Sequence, residues 1–253
     1  CPPFIEKGAP PPPAHQPVSL EAVEEALARM RPLVEKAAGR RFDKAPAIRF
    51  SSAATLEDIV YRNTMPIVAS LVSGASREEL ARQARQNAEG ISTRSSGIYD
   101  RLSHTIHLVQ EKLPSACPPD HGGRSNHCID YLRVLNAHEL THALQEQEVR
   151  YSAKLSRAHV RDAYDAMEAV YEGHAVCTAR EAVRLASGRR PAQMTLKEGF
   201  SLAQPGAAER VLAYVAEVRE ALPYYFGAAF IRHHYRRGGT EQLWRILQDP
   251  PRN

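Results

Sequence analysis

Two histidines four residues apart, with a glutamate beside the first, stand near the middle of the chain: His138-Glu139-Leu140-Thr141-His142. On an α-helix, residues at this spacing return to one face, so both imidazoles can point at one ion from successive turns. Glu139 sits one position round the helix, within reach of a water on that ion without being a ligand itself. Zinc suits such a set, because it accepts mixed nitrogen and oxygen ligands and keeps a position open for water. The chemistry implied is hydrolysis: the metal acidifies a water molecule, and Glu139 takes its proton as the water attacks a carbonyl.

A pentapeptide of this kind arises by chance in roughly 4 of 100 chains of this composition, so its surroundings must decide. They favour a site. The motif lies inside IDYLRVLNAHELTHALQEQE, a run without Pro or Gly. One face carries Ile129, Leu132, Leu140 and Leu144, and the adjacent face carries Tyr131, Leu135, His138 and His142. Histidines on a partly buried face need partners, and a shared metal supplies them. The bland alternative is two solvated or core-satisfied histidines.

The third ligand has to come from elsewhere. A later helical run, RDAYDAMEAVYEGHAVCTAREAV, offers Glu168, Glu172 and His174. Glu172 is favoured because Gly173 follows it, and a mid-helix glycine, which costs about 1 kcal/mol against alanine, suggests close approach of another backbone. Glu168 shares its face and His174 points away from both.

HELTH followed by Glu172-Gly173-His174-Ala175 resembles the gluzincin metallopeptidases, the thermolysin-like clan with two histidines and a distal glutamate. The blocks AHELTHALQEQ, YEGHA and LPYYFGAAFIRHHYRRGG resemble, in the same order, those of a group of largely uncharacterised bacterial secreted or lipoprotein HExxH proteins. The likeness spans residues 97–251 or so. It implies zinc on His138, His142 and Glu172, Glu139 as the catalytic base, and a strand at 104–110 forming the sheet edge along which an extended peptide lies. Relatives often carry an acidic residue where His174 stands, a departure in this chain. To stabilise an oxyanion, Tyr224, Tyr225, His233 and His234 are candidates. Tyr224 best matches the family-like Pro-Tyr-x-x-Gly block, and an aromatic helix packed in the core is the competing expectation. His104, His107, His121 and His127 read as surface or loop residues.

The elements that must position these groups can be read in outline. Ser19 is expected to cap a helix to about Gly39 that Pro32 kinks or splits. Residues 47–50 read as a strand. Thr55 and Asp58 open a second helix, interrupted by Pro66, and Ser76 with Glu79 forms a capping box for a third, closed by Gly90. GIYDRLSHTIHLVQ then suggests two short strands about a turn at 100–103. Long helices follow at about 129–149, 158–186 and 207–221, with another opened by Pro223 and ended at Gly238-Gly239, and a short last one from Thr240. The expected fold is mostly α (α+β), a zincin-like helical body with an active-site helix pair and a small β-sheet just before the HExxH helix. Residues 1–17 form a Pro-rich tether and 18–253 one domain, with 18–95 a helical N-terminal part and 96–253 the catalytic core.

Composition fits this picture. Hydrophobic residues are 43% and charged residues 25% of 253, ordinary globular values, so no metal is needed merely to fold. The net charge of +4 comes with arginines scattered at helical spacing, which argues against a nucleic-acid partner. No apolar run approaches the ~20 residues that cross a bilayer. Cys117 and Cys128 bracket an irregular stretch and are expected to form a disulfide. Cys1 followed by a Pro-rich tether resembles a processed lipoprotein start, hence an extracytoplasmic protein with a possible membrane tether through a lipid on Cys1. The expected partner is a peptide or protein substrate, acted on by a monomer. A metal-binding protein without turnover and an amidase acting on non-peptide amides are the competing functional readings.

Overall fold

A computed structural model describes residues 20–109, 112, 126–188 and 207–251. The tether, the pairing of Cys117 with Cys128, His121 and the side chain of His127 lie outside what the structure describes. The chain is mostly helical with one small sheet, the expected class. Its elements are α1 (Leu20–Ala38), β1 (Ala47–Ser51), α2 (Ala53–Leu71), α3 (Arg77–Arg94), β2 (Gly97–Asp100), β3 (Thr105–Val109), α4 (Asn126–Val149), α5 (Tyr151–Leu155), α6 (Arg161–Ser187) and α7 (Ala207–Gln248). Among the described residues no helix is long and apolar enough to cross a membrane.

Local chemistry sets most of the boundaries. Ser76 and Glu79 make the expected reciprocal capping box at the start of α3. For α2 the cap is Ser52, whose hydroxyl accepts from the Thr55 amide, so Thr55 is the residue capped and not the cap. The expected breaks at proline do not occur. Pro32, Pro66 and Pro223 all lie inside continuous helices. A mid-helix proline loses one backbone hydrogen bond and costs about 3 kcal/mol, which burial of the helix on its neighbours outweighs here. Gly90 likewise sits within α3, which runs on to Arg94. The two glycines of α7 behave as expected: Gly238 and Gly239 leave helical geometry, and the helix resumes beyond them.

The sheet order is β1-β3-β2, with β1 parallel and β2 antiparallel to β3. This corrects the expectation for the strand at 104–110. β3 is central, with all five residues buried, and the edge strand against α4 is β2. His107, expected at the surface, is buried on β3 and hydrogen-bonded through Nδ1 to Ser51 Oγ at 2.8 Å. In the antiparallel pair, Val109 donates to the Ser96 carbonyl. The alternation of the ladder therefore turns the backbone groups of Gly97 and Tyr99 away from β3, toward α4.

α4 is wedged between two cores. Ala137, Leu140 and Ala143 pack with Met30 and Val34 of α1, with Ile106 and Leu108 of β3, and with Ala179, Ala182 and Val183 of α6. On the other side Leu144 joins Val170 and Tyr171 of α6 and Ile231, Trp244 and Leu247 of α7. Burial on both flanks leaves little freedom for the strip of α4 that carries the histidines.

The close approach suggested by Gly173 is real, and the approaching backbone belongs to α7. A Cβ built on Gly173 would lie 2.1 Å from the carbonyl carbon of Gly227, and one on Gly227 would lie 1.9 Å from the Ala169 carbonyl oxygen. α6 and α7 thus cross backbone to backbone. In Gly173→Ala the helices must separate, and the strain costs about 2 kcal/mol or more. The measurement is thermal unfolding, with Gly90→Ala as the control. The nearest atom to a Cβ at Gly90 is the end of the Arg94 side chain at 3.6 Å. That control should keep or raise the melting temperature.

Candidate metal centre

α4 and α6 run against one another, and His138, His142 and Glu172 meet between them. His138 Nε2 and His142 Nε2 are 3.0 Å apart. Glu172 places Oε2 3.2 Å from His138 Nε2 and Oε1 3.5 Å from His142 Nε2. These are one set of three potential ligands, the one such set among the described residues. Ligand atoms about 2.0–2.1 Å from a tetrahedral zinc stand about 3.3 Å apart, and the three separations bracket that value. Oε2 of Glu172 is buried without an aligned hydrogen bond. Two imidazole nitrogens and an under-satisfied carboxylate facing one point are a donor set that a divalent cation completes.

The electrostatics point the same way. Burial disfavours charge on His142, but Glu172 outweighs it by its charge and hydrogen bonding, and the pKa rises to about 9. Burial also opposes the Glu172 carboxylate, and the two histidines more than reverse this, driving its pKa far below the usual carboxylate range. Without an ion, protons hold the cluster together.

Glu139 stands apart from this set. It is buried, and Oε2 accepts from the Tyr99 backbone amide at 2.8 Å, one of the groups that β2 turns outward. Oε1 has no hydrogen bond to the protein among the described residues. Burial raises the Glu139 pKa, against the pull of His138 and His142. A carboxylate anchored by one oxygen and free at the other is suited to exchanging a proton.

The other candidates separate clearly. Glu168, on the face of Glu172, accepts from the Tyr164 hydroxyl at 2.8 Å, and burial lifts its pKa to about 7. His174 is completely buried, faces away from the cluster, and is held neutral by burial, with its pKa pulled to about 3. Tyr224 tilts beside His138, ring centroids 6.2 Å apart, and remains 42% exposed, so it borders the centre and is not a core residue. Tyr225 is more exposed. His233 pairs with Arg237, and His234 packs on Phe230, both more than two turns along α7 from Tyr224. Two contributors escaped the sequence reading. The Tyr99 amide is a backbone group with no side-chain signature. Tyr151, at the start of α5, stacks on the His142 ring at 5.6 Å. The YS following the long helix gave no cue, because the left-handed Arg150 that turns Tyr151 back over α4 is not a glycine.

Comparison with protein-family models, with curated proteins and with solved structures finds no match to this chain.

The raised pKa of His142 fixes a sign for stability. Protonation in the folded state contributes stability that is complete below pH 6.5, the ordinary histidine value, and is lost as pH rises through about 9. The melting temperature of metal-free protein should therefore fall between pH 7 and 9.5. Protein loaded with zinc should lack this fall, since the metal replaces the proton. Scanning calorimetry on both forms checks the pair of curves.

Proposed function

We propose that this protein is a zinc-dependent peptidase in which His138, His142 and Glu172 hold the metal and Glu139 is the general base. One observation carries the reading. Three side chains of metal-ligand type converge at separations that suit a tetrahedral ion, while Glu139, beside the first histidine, lies outside that set, anchored by one oxygen. A purely structural zinc site commonly fills all four positions with protein ligands, and among the described residues three converge here.

Bound zinc supplies Lewis acidity, making water a stronger acid and polarising the carbonyl to be cleaved. The chain's own residues do the rest. Glu139 accepts the water proton on its free oxygen and returns it to the departing amine. The Tyr99 amide holds that carboxylate by its other oxygen. Tyr224, beside His138, is the group offered to the oxyanion. The peptide does not pair with β3, the strand that the motif pattern had suggested, because β3 is central in the sheet.

Peptide hydrolysis with a mixed peptide library, read by mass spectrometry, tests the activity. Glu139→Gln should retain one zinc per chain and lose about 10²–10⁴-fold in kcat. Full activity in that variant would remove Glu139 as base. Tyr224→Phe should lower kcat by about 10²-fold with unchanged zinc content, as expected for one lost oxyanion donor. Because burial raises the Glu139 pKa, the acid limb of kcat/KM should fall above the ordinary glutamate value of 4.5.

A further inference from the structure

Gln145 lies on α4 one turn beyond His142 and is completely buried. Its amide is used at both ends. Nε2 donates to the Tyr171 carbonyl at 2.9 Å and lies 3.1 Å from His174 Nδ1, while Oε1 is 2.9 Å from His142 Nδ1. A backbone carbonyl only accepts, so the amide group must face Tyr171, and the flipped orientation would set two oxygens against each other. That settles the protons on both neighbouring rings. An amide oxygen cannot donate, so His142 carries hydrogen on Nδ1. The amide nitrogen donates, so His174 accepts at Nδ1 and keeps its hydrogen on Nε2, which lies 3.4 Å from Thr178 Oγ1.

We propose that Gln145 is a positioning residue for the metal centre, holding the His142 proton on Nδ1 so that Nε2 is bare and aimed at the point shared with His138 and Glu172. This rests on the metal reading above and adds to it a cause for the ligand's geometry. The Tyr171 carbonyl belongs to the residue just before Glu172, so the amide ties a ligand on α4 to the backbone that carries the ligand on α6. His174 is the neutral acceptor that occupies the second amide hydrogen, braced edge-on by Trp244 at 5.2 Å. A buried amide with one hydrogen unsatisfied would be costly, which explains a buried histidine at a place where no charge is used.

The test compares the parent with Gln145→Met, of similar length and volume, and Gln145→Glu, which keeps an oxygen for His142. Zinc affinity is measured by competition with a chromophoric chelator, and imidazole 1H–15N spectra of the zinc-loaded protein report the Nδ1–H of His142. The parent should show that proton hydrogen-bonded and protected from exchange. Gln145→Met should lose the protection and bind zinc about 10- to 100-fold more weakly. Gln145→Glu should recover a protected proton and bind more tightly than the Met variant. A Met variant with parental affinity and an unchanged His142 signal would overturn the inference while leaving the metal site intact. If Gln145→Met does not fold, a zinc-loaded parent whose His142 Nδ1 proton is absent or exchanges freely overturns it as well. A parent that binds no zinc removes the metal reading and this inference together.

Discussion

The structure turns on three lone pairs brought to one point. His138, His142 and Glu172 place their donor atoms 3.0 to 3.5 Å apart, packed between α4 and α6. Such an arrangement is held by a shared cation or by protons. Glu172 favours the proton on His142 against the effect of burial. The surroundings serve to keep that convergence from relaxing. α4 is clamped by apolar cores on each side, α6 is locked to α7 by a glycine crossing, and Glu139 is tied back to the sheet.

How the work is divided among the elements follows from this. The sheet packs on α4 through Ile106 and Leu108 and also presents backbone: its edge strand offers the amide that holds the Glu139 carboxylate. α7 contributes aromatic side chains at the rim, and its position is set by the absence of side chains at Gly173 and Gly227. The first helix closes the far side, where the Trp244 indole donates to the Ala38 carbonyl and Arg40 pairs with Glu241.

Much of this was legible in the residues. The HExxH spacing and the glutamate-glycine pair identified the residues that meet, because helical periodicity converts sequence spacing directly into direction. The capping box at Ser76 and the Gly238-Gly239 break were equally local. What could not be read depends on tertiary contact. Pro32 and Pro66 looked like interruptions and Pro223 like a helix start, since the burial that offsets a lost hydrogen bond has no local sign. The choice of edge strand needs the sheet order, which two short strands and a distant third do not encode. Gln145 passed unremarked as one polar residue in a polar run, although its place three residues after His142 puts it on the same flank of the helix.

The glycine crossing between α6 and α7 also has a bearing on descent. Neither position can change alone, because even a methyl group at one would meet the other helix's backbone. Chains that keep this crossing must keep both residues, however far the rest drifts. That spacing, added to the paired histidines and the distal glutamate, is a more discriminating fingerprint for distant kin than the pentapeptide, which chance supplies far more often.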